Sequence, residues 1–206
     1  MPGLTELNRA MVRCTLCSEL VKSRTQVVPS DGPETAQVLF IGEAPGFHED
    51  QQGKPFVGPA GQFLNSLLAL VGWRRDEVFI TNIVKCRPAG NRDPLPSEIS
   101  NCSPWLDKQL ALIKPRIIVT LGRYSMARFF PGQSISKVHG TARQAEGVLY
   151  YAMYHPAAAL HQQSLRHTLE EDMKKLPQVL AQAKAAQERL AQPQPTQEDP
   201  KQLSLF

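Results

Sequence analysis

Four cysteines and a scattered set of Glu, Asn, His and Phe residues are the side chains here whose types and spacing can do chemistry. Cys14-x-x-Cys17 can offer two adjacent coordination positions from one short loop. Cys86 and Cys102 complete four thiolates if the chain folds back on its N-terminal segment. Four thiolates suit zinc or an iron–sulphur cluster, and spacing does not choose between them. The plainer reading is that Cys86, at a strand end, and Cys102, in a helix, are small buried hydrophobes. Glu43, Asn82 and His155 sit at the ends of apolar runs, with Phe56 on a long connection. A carboxylate, an amide, an imidazole and an aromatic ring are what an excised nucleobase needs. The ring stacks on its face and the amide reads its Watson–Crick edge by donating and accepting together. The imidazole donates to an oxygen that gains negative charge as the bond to the sugar breaks. Singly, each has an ordinary explanation as a turn histidine, a capping amide or a core ring, so only their convergence carries meaning.

Hydrophobic periodicity locates the elements that must position them. Runs rich in β-branched residues at Val38–Ile41, Val78–Val84, Ile117–Leu121 and Val148–Tyr154 read as buried strands. Helical patterns follow at Ala60–Val71, Ser97–Ile113, Tyr124–Phe130 and Leu165–Leu190. This alternation predicts an α/β fold, a parallel sheet with helices on both faces joined by right-handed crossovers. Ligands bind such sheets beyond the carboxyl ends of the strands. Those ends carry Gly42-Glu43-Ala44-Pro45-Gly46, Asn82, Gly122 and His155-Pro156. The segment Gly46 to Pro55 is no phosphate-binding loop: its glycine spacing is wrong, Pro55 stands where a hydroxyl is required, and Glu49 and Asp50 would repel phosphates.

Composition sets the outer limits. With 206 residues the chain suits one catalytic domain over residues 1–185 and a tail. The balance of 23 Lys and Arg against 19 Asp and Glu, a net +4, is too mild for a protein that coats DNA, so any DNA contact is local. The N-terminus lacks an apolar core behind basic residues, and no stretch approaches the roughly 20 apolar residues of a membrane span. A soluble, cytoplasmic protein is expected, in which structural disulfides are disfavoured. Residues 186–201 are rich in Gln, Pro and Glu and read as a disordered linker before residues 202–206, which turn apolar again.

The chain resembles the family 4 uracil-DNA glycosylases over roughly residues 4–180. The likeness rests on Cys14-x-x-Cys17, Gly42-Glu43-Ala44-Pro45-Gly46, Gly53-Lys54-Pro55-Phe56-Val57-Gly58, Thr81 to Pro88 with Asn91-Arg92, Cys102, and His155-Pro156-Ala157. It implies a three-layer α/β/α sandwich around a four-stranded parallel sheet, and a [4Fe–4S] cluster on Cys14, Cys17, Cys86 and Cys102 in a structural role. It implies hydrolysis of the N-glycosidic bond of a flipped-out deoxyuridine, with Gly42, Ala44, Glu49, Phe56, Asn82 and His155 around the base. Phe56 would stack on uracil, Asn82 would read its N3 and O4 edge, and His155 would donate toward O2. Ala44 stands where related glycosylases keep an Asp, which leaves Glu43 as the candidate for orienting water or balancing the sugar cation. Glu49 would crowd thymine at C5. Lys85, Arg87, Arg92, Lys137 and Arg143 are the expected phosphate partners. Leu160 belongs to the loop expected to fill the gap left by the extruded base, although His161-Gln162-Gln163 departs from the usual continuation. His139 falls where Arg is more usual and is expected at the DNA backbone or exposed.

Gln202-Leu203-Ser204-Leu205-Phe206 looks like the peptide that docks bacterial repair proteins into the sliding clamp, with Gln202, Leu203, Leu205 and Phe206 as anchors on a flexible tether. A monomer acting on uracil-containing DNA is expected. Three competing readings are a relative that traps DNA covalently through a loop His, an electron-transfer protein and a zinc-bearing DNA-binding module. The first is disfavoured because Gly90-Asn91-Arg92-Asp93-Pro94 is short and holds no His.

Overall fold

The computed structural model describes residues 3–145 and 147–191, and side chains as far as residue 186. Two short helices, α1 (Leu4–Val12) and α2 (Ser18–Ser23), precede the first strand, β1 (Val38–Gly42). Then come α3 (Phe47–Gln52), α4 (Pro59–Leu70), β2 (Phe79–Asn82), α5 (Pro96–Ile113), β3 (Ile117–Leu121) and α6 (Arg123–Phe129). The chain continues through α7 (Ile135–Val138), β4 (Ala142–Ala145), β5 (Val148–Met153), α8 (Pro156–His161) and α9 (Ser164–Ala191).

The sheet has the order β2-β1-β3-β5-β4. Every residue of β1, β2 and β3 is buried, as expected for parallel strands covered on both faces. Alternate side chains divide between two cores. Val38, Phe40, Ile80, Val119 and Tyr151 pack against α4, α8 and α9. Leu39, Ile41, Phe79 and Ile118 face the opposite layer, built on Leu7 and Met11 of α1 and Leu106 and Ile113 of α5. The four expected parallel strands are present. The sheet is nevertheless five-stranded, because β4 adds an antiparallel edge on β5 in the register Ala142↔Tyr151 to Ala145↔Val148. Sequence reading misses β4 because Ala142-Arg143-Gln144 is exposed and polar, lacking the apolar run that marks a buried strand.

Parallel pairing brings the strand ends into line. Gly42 lies beside Asn82, and Leu121 beside Met153. The long apolar run predicted at residues 78–84 stops as a strand at Asn82, yet Ile83 and Val84 keep bonding to Gly42 and Glu43 carbonyls. Helix α9 reaches Ala191 and overlaps the start of the expected linker, while residues 202–206, with the four expected clamp anchors, lie outside the described residues. Among the described residues no helix is long and apolar enough to cross a membrane.

Candidate active site

The carboxyl ends of β1, β2 and β5 open on a cleft of about 220 Å³ whose walls include Glu43, Ala44, Glu49, Phe56, Asn82 and His155. Gly42 contributes by having no side chain. A Cβ there would stand 2.3 Å from Asn82 Oδ1 and 2.6 Å from the Phe56 ring. Asn82 ends β2 only 2 % exposed, and its Oδ1 is buried with no hydrogen-bond partner. An unpaired buried acceptor costs about 1–3 kcal/mol, which an N–H donor entering the cleft would recover.

Phe56 is held in place from three sides. Its φ of 53° lies in the left-handed region, unusual for a large side chain. Arg75 donates from Nη1 to the Phe56 carbonyl at 2.9 Å and from Nη2 to the Pro55 carbonyl at 2.6 Å. The buried Glu49 carboxylate accepts from the backbone N–H groups of Val57 at 2.9 Å and Gly58 at 2.8 Å. Gly61 leaves room for the turn, since a Cβ there would lie 2.0 Å from the Phe56 carbonyl. Glu49 is therefore a wall of the cleft and also the fastener of the Phe56 loop.

His155 caps α8, its Nδ1 accepting from the Ala157 N–H at 3.1 Å. That bond fixes the tautomer: a neutral ring accepting at Nδ1 carries its proton on Nε2. Desolvation pushes the imidazole down to about 4, against the opposing field of Glu49, so the ring is neutral at pH 7. Its ring and that of Phe56 stack with centroids 5.5 Å apart and planes 28° apart. Gly122 keeps the approach to His155 open, with φ 88° and a would-be Cβ 3.0 Å from His155 Cβ. Glu43 is partly buried, and desolvation first, then the Asp93 charge, raises its carboxyl above the ordinary value while Arg123 opposes them.

A second cavity, on the other side of the Asn82 loop, is ringed by Cys14, Cys17, Cys86 and Cys102. Each sulphur accepts an N–H bond. Arg24 Nη1 donates to Cys86 at 2.9 Å, Trp105 Nε1 to Cys14 at 3.3 Å, the Lys85 backbone N–H to Cys102 at 3.3 Å, and Asn101 Nδ2 to Cys17 at 3.7 Å. Burial raises the thiols of Cys17, Cys86 and Cys102, the last to about 11, while Asn101, Arg24 and Lys85 respectively pull them back in part. Among the described residues no three His, Cys, Asp or Glu converge as a single metal ion requires. All four cysteines line the one cavity. Of their donors, Arg24, Asn101 and Trp105 were not singled out from sequence, which holds no spacing signal for them.

The sequence model of the uracil DNA glycosylase superfamily matches residues 29–181. The chain belongs to the uracil DNA glycosylase superfamily. It is 45 % identical over 186 residues to the Type-4 uracil-DNA glycosylase of Sulfurisphaera tokodaii, covering 85 % of this chain and 84 % of that protein. It is 43 % identical over 185 residues to the Type-4 enzyme of Archaeoglobus fulgidus, covering 85 % and 92 %. The Type-4 enzyme of Thermotoga maritima is 40 % identical over 168 residues, covering 79 % and 87 %.

In this superfamily member the five expected phosphate partners are dispersed. Lys85 is a correction: it is 1 % exposed and its ammonium turns inward to Thr81 Oγ1, the Asn82 carbonyl and Gln109 Oε1, so it cannot meet a phosphate. The misreading has a physical origin, since a lysine next to a polar loop is almost always solvated. Arg92 lines the cleft but is pinned through both terminal nitrogens to the buried Glu98. Arg87 donates to Asn91 Oδ1 at 2.7 Å and lies 5.1 Å over the exposed ring of Phe47, an aromatic near the cleft that sequence reading overlooked. Lys137 and Arg143 are exposed on α7 and β4, away from the cleft lining, and Arg143 donates to the Phe129 carbonyl. His139 is half-buried, bonded through Nδ1 to Asp172 at 2.8 Å, not free at the surface. Leu160 projects from α8, 49 % exposed.

Proposed function

We propose that this chain hydrolyses the N-glycosidic bond of a deoxyuridine extruded from DNA, releasing uracil and leaving an abasic site. The observation that carries the reading is the buried, unpartnered Oδ1 of Asn82, in a cleft it shares with a neutral imidazole and a fixed aromatic ring. Uracil brings an N–H at N3 for that oxygen and an O4 that accepts from Asn82 Nδ2. Cytosine has no N–H at N3. Phe56 offers its face to the base, and Nε2–H of His155 donates to O2 as the departing pyrimidine takes up negative charge. Glu43 orients water or balances the cationic sugar. Glu49, fixed by its two backbone bonds, crowds the 5-methyl of thymine.

We further propose that Cys14, Cys17, Cys86 and Cys102 hold a [4Fe–4S] cluster. Four cysteines lining one cavity supply the ligand set of such a cluster, and an N–H aimed at each sulphur suits electron-rich thiolates. When bound, the cluster supplies a four-point link among the N-terminal segment, the loop after Asn82 and α5. Arg87, Lys137 and Arg143 meet DNA phosphates, Leu160 enters the gap in the duplex, and Gln202, Leu203, Leu205 and Phe206 dock on a sliding clamp. The chain acts as a cytoplasmic monomer.

The deciding assay uses a labelled uracil-containing oligonucleotide with alkaline cleavage of the abasic product, on wild type, Asn82→Ala and His155→Ala. Wild type releases free uracil, and both variants lose most activity while keeping iron and sulphide. Full rates in both variants would refute the site assignment. Deleting Leu205 and Phe206 abolishes clamp binding and leaves excision from a free oligonucleotide unchanged; equal clamp affinity would contradict the docking role.

A further inference from the structure

Lys85 poses a problem of charge. Its side chain is fully buried and its ammonium has three acceptors, all neutral: Thr81 Oγ1 at 2.5 Å, the Asn82 carbonyl at 2.6 Å and Gln109 Oε1 at 2.7 Å. These acceptors are themselves locked, because Thr81 Oγ1 and Gln109 Nε2 both donate to the Pro29 carbonyl. Neutral dipoles orient a buried cation but do not neutralise it, and burial without compensation is strongly unfavourable. Burial pulls Lys85 down to about 7, yet its three acceptors have no proton to give it, Thr81 Oγ1 having donated its own to Pro29, so the contacts call for all three N–H bonds of the charged form. Lys85 lines the cavity that the four cysteines ring. Lys85 also reaches the cysteine site through its own backbone, donating to Cys102 Sγ, and Cys86 is the next residue. One residue therefore touches the cysteines on one side and the carbonyl of Asn82 on the other.

We propose that Lys85 is a positioning residue that couples the two sites: its ammonium balances the net negative charge of the cysteine-held group, and its bond to the Asn82 carbonyl fixes the end of β2 and so aims the amide. This rests on the [4Fe–4S] reading above. The loop from Asn82 to Cys86 is then held by the centre's charge as well as by its bonds to sulphur. Losing the centre leaves the ammonium uncompensated inside the protein, and the strain falls on the segment that presents Asn82.

The test is Lys85→Met in the cluster-loaded protein, which keeps the length of the side chain and removes its charge. Iron and sulphide content, the midpoint potential followed by electron paramagnetic resonance, and single-turnover excision are measured together. The expected result is a loaded cluster, a more negative potential because a cation favouring the reduced form is gone, and excision lowered about 10–100-fold. An unchanged potential in a loaded variant overturns the charge role while leaving the cluster reading intact. A shifted potential with wild-type excision overturns the coupling. If Lys85→Met does not retain the cluster, Gln109→Glu decides: it gives the ammonium a carboxylate of its own in nearly the same volume, and Thr81 still donates to the Pro29 carbonyl that Gln109 Nε2 gives up. The potential then moves negative while excision stays near wild type, and no movement overturns the proposal. Wild-type protein free of iron and sulphide overturns the cluster and this coupling together.

Discussion

In the cleft at the strand ends, a buried amide oxygen waits without a partner, whereas beyond the turn that follows each of four cysteine sulphurs already accepts an N–H. The difference marks what each region is built to receive. A transient guest that carries its own donor is gripped best by an acceptor left open, because the guest recovers a desolvation cost the protein has already met. A resident group rich in electrons needs the reverse, donors set in advance around every ligand atom. On the proposed function, the open acceptor of Asn82 serves turnover, and the sulphurs already ringed by donors serve a lasting occupant.

The comparison breaks first at Asn82 and His155. Replacing either with Ala removes its bonding to the base and lowers excision by about 10²–10³, with the absorbance of the proposed iron centre unchanged. A parallel loss of iron would mean that the two regions are one. Phe56→Ala comes next: loss of base stacking, worth about 1–3 kcal/mol, lowers kcat/KM on a uracil oligonucleotide by roughly 10–100-fold. Trp105→Phe removes the donor to Cys14 and keeps the bulk. Iron is then released to a chelator about tenfold faster, while excision by the loaded protein is unaltered; slower excision with intact iron would contradict the division.

The smallest effect is in pH. Glu43→Gln removes the raised carboxyl from the cleft, so the excision profile that remains reports His155 beside Glu49. It shows no step at the ordinary 6.5 and declines only as the pH approaches about 4, where a second proton on Nδ1 would displace the Ala157 N–H. Stability follows the same sign. The unfolded chain takes up the proton first, so the contribution of His155 to thermal stability is lost as the pH falls from 6.5 toward about 4 and changes no further below it.

The four parallel strands and the longer helices could be read from the chain because buried strands and amphipathic helices impose periods on it, and the strand-end rule then placed Glu43, Asn82 and His155 at one edge before any coordinates. What the pattern did not carry was long-range polar organisation. Nothing about Arg75 in sequence announces that it will grip the carbonyls of Pro55 and Phe56, and nothing near Cys14 points to Trp105, ninety-one positions away. Lys85 was misread for the same reason: its surroundings are assembled from Thr81, Gln109 and Cys102, and only the last two are set there by the packing of α5. β4 was lost because an exposed edge strand has no hydrophobic period to show.

Phe56 reaches its left-handed backbone conformation before any substrate arrives, braced by a guanidinium, a carboxylate and a neighbouring glycine. The ring that would face the base needs no rearrangement of its own loop. The proposed activity is then expected to excise uracil opposite guanine sooner than uracil opposite adenine, because a wobble-paired base leaves the stack more readily.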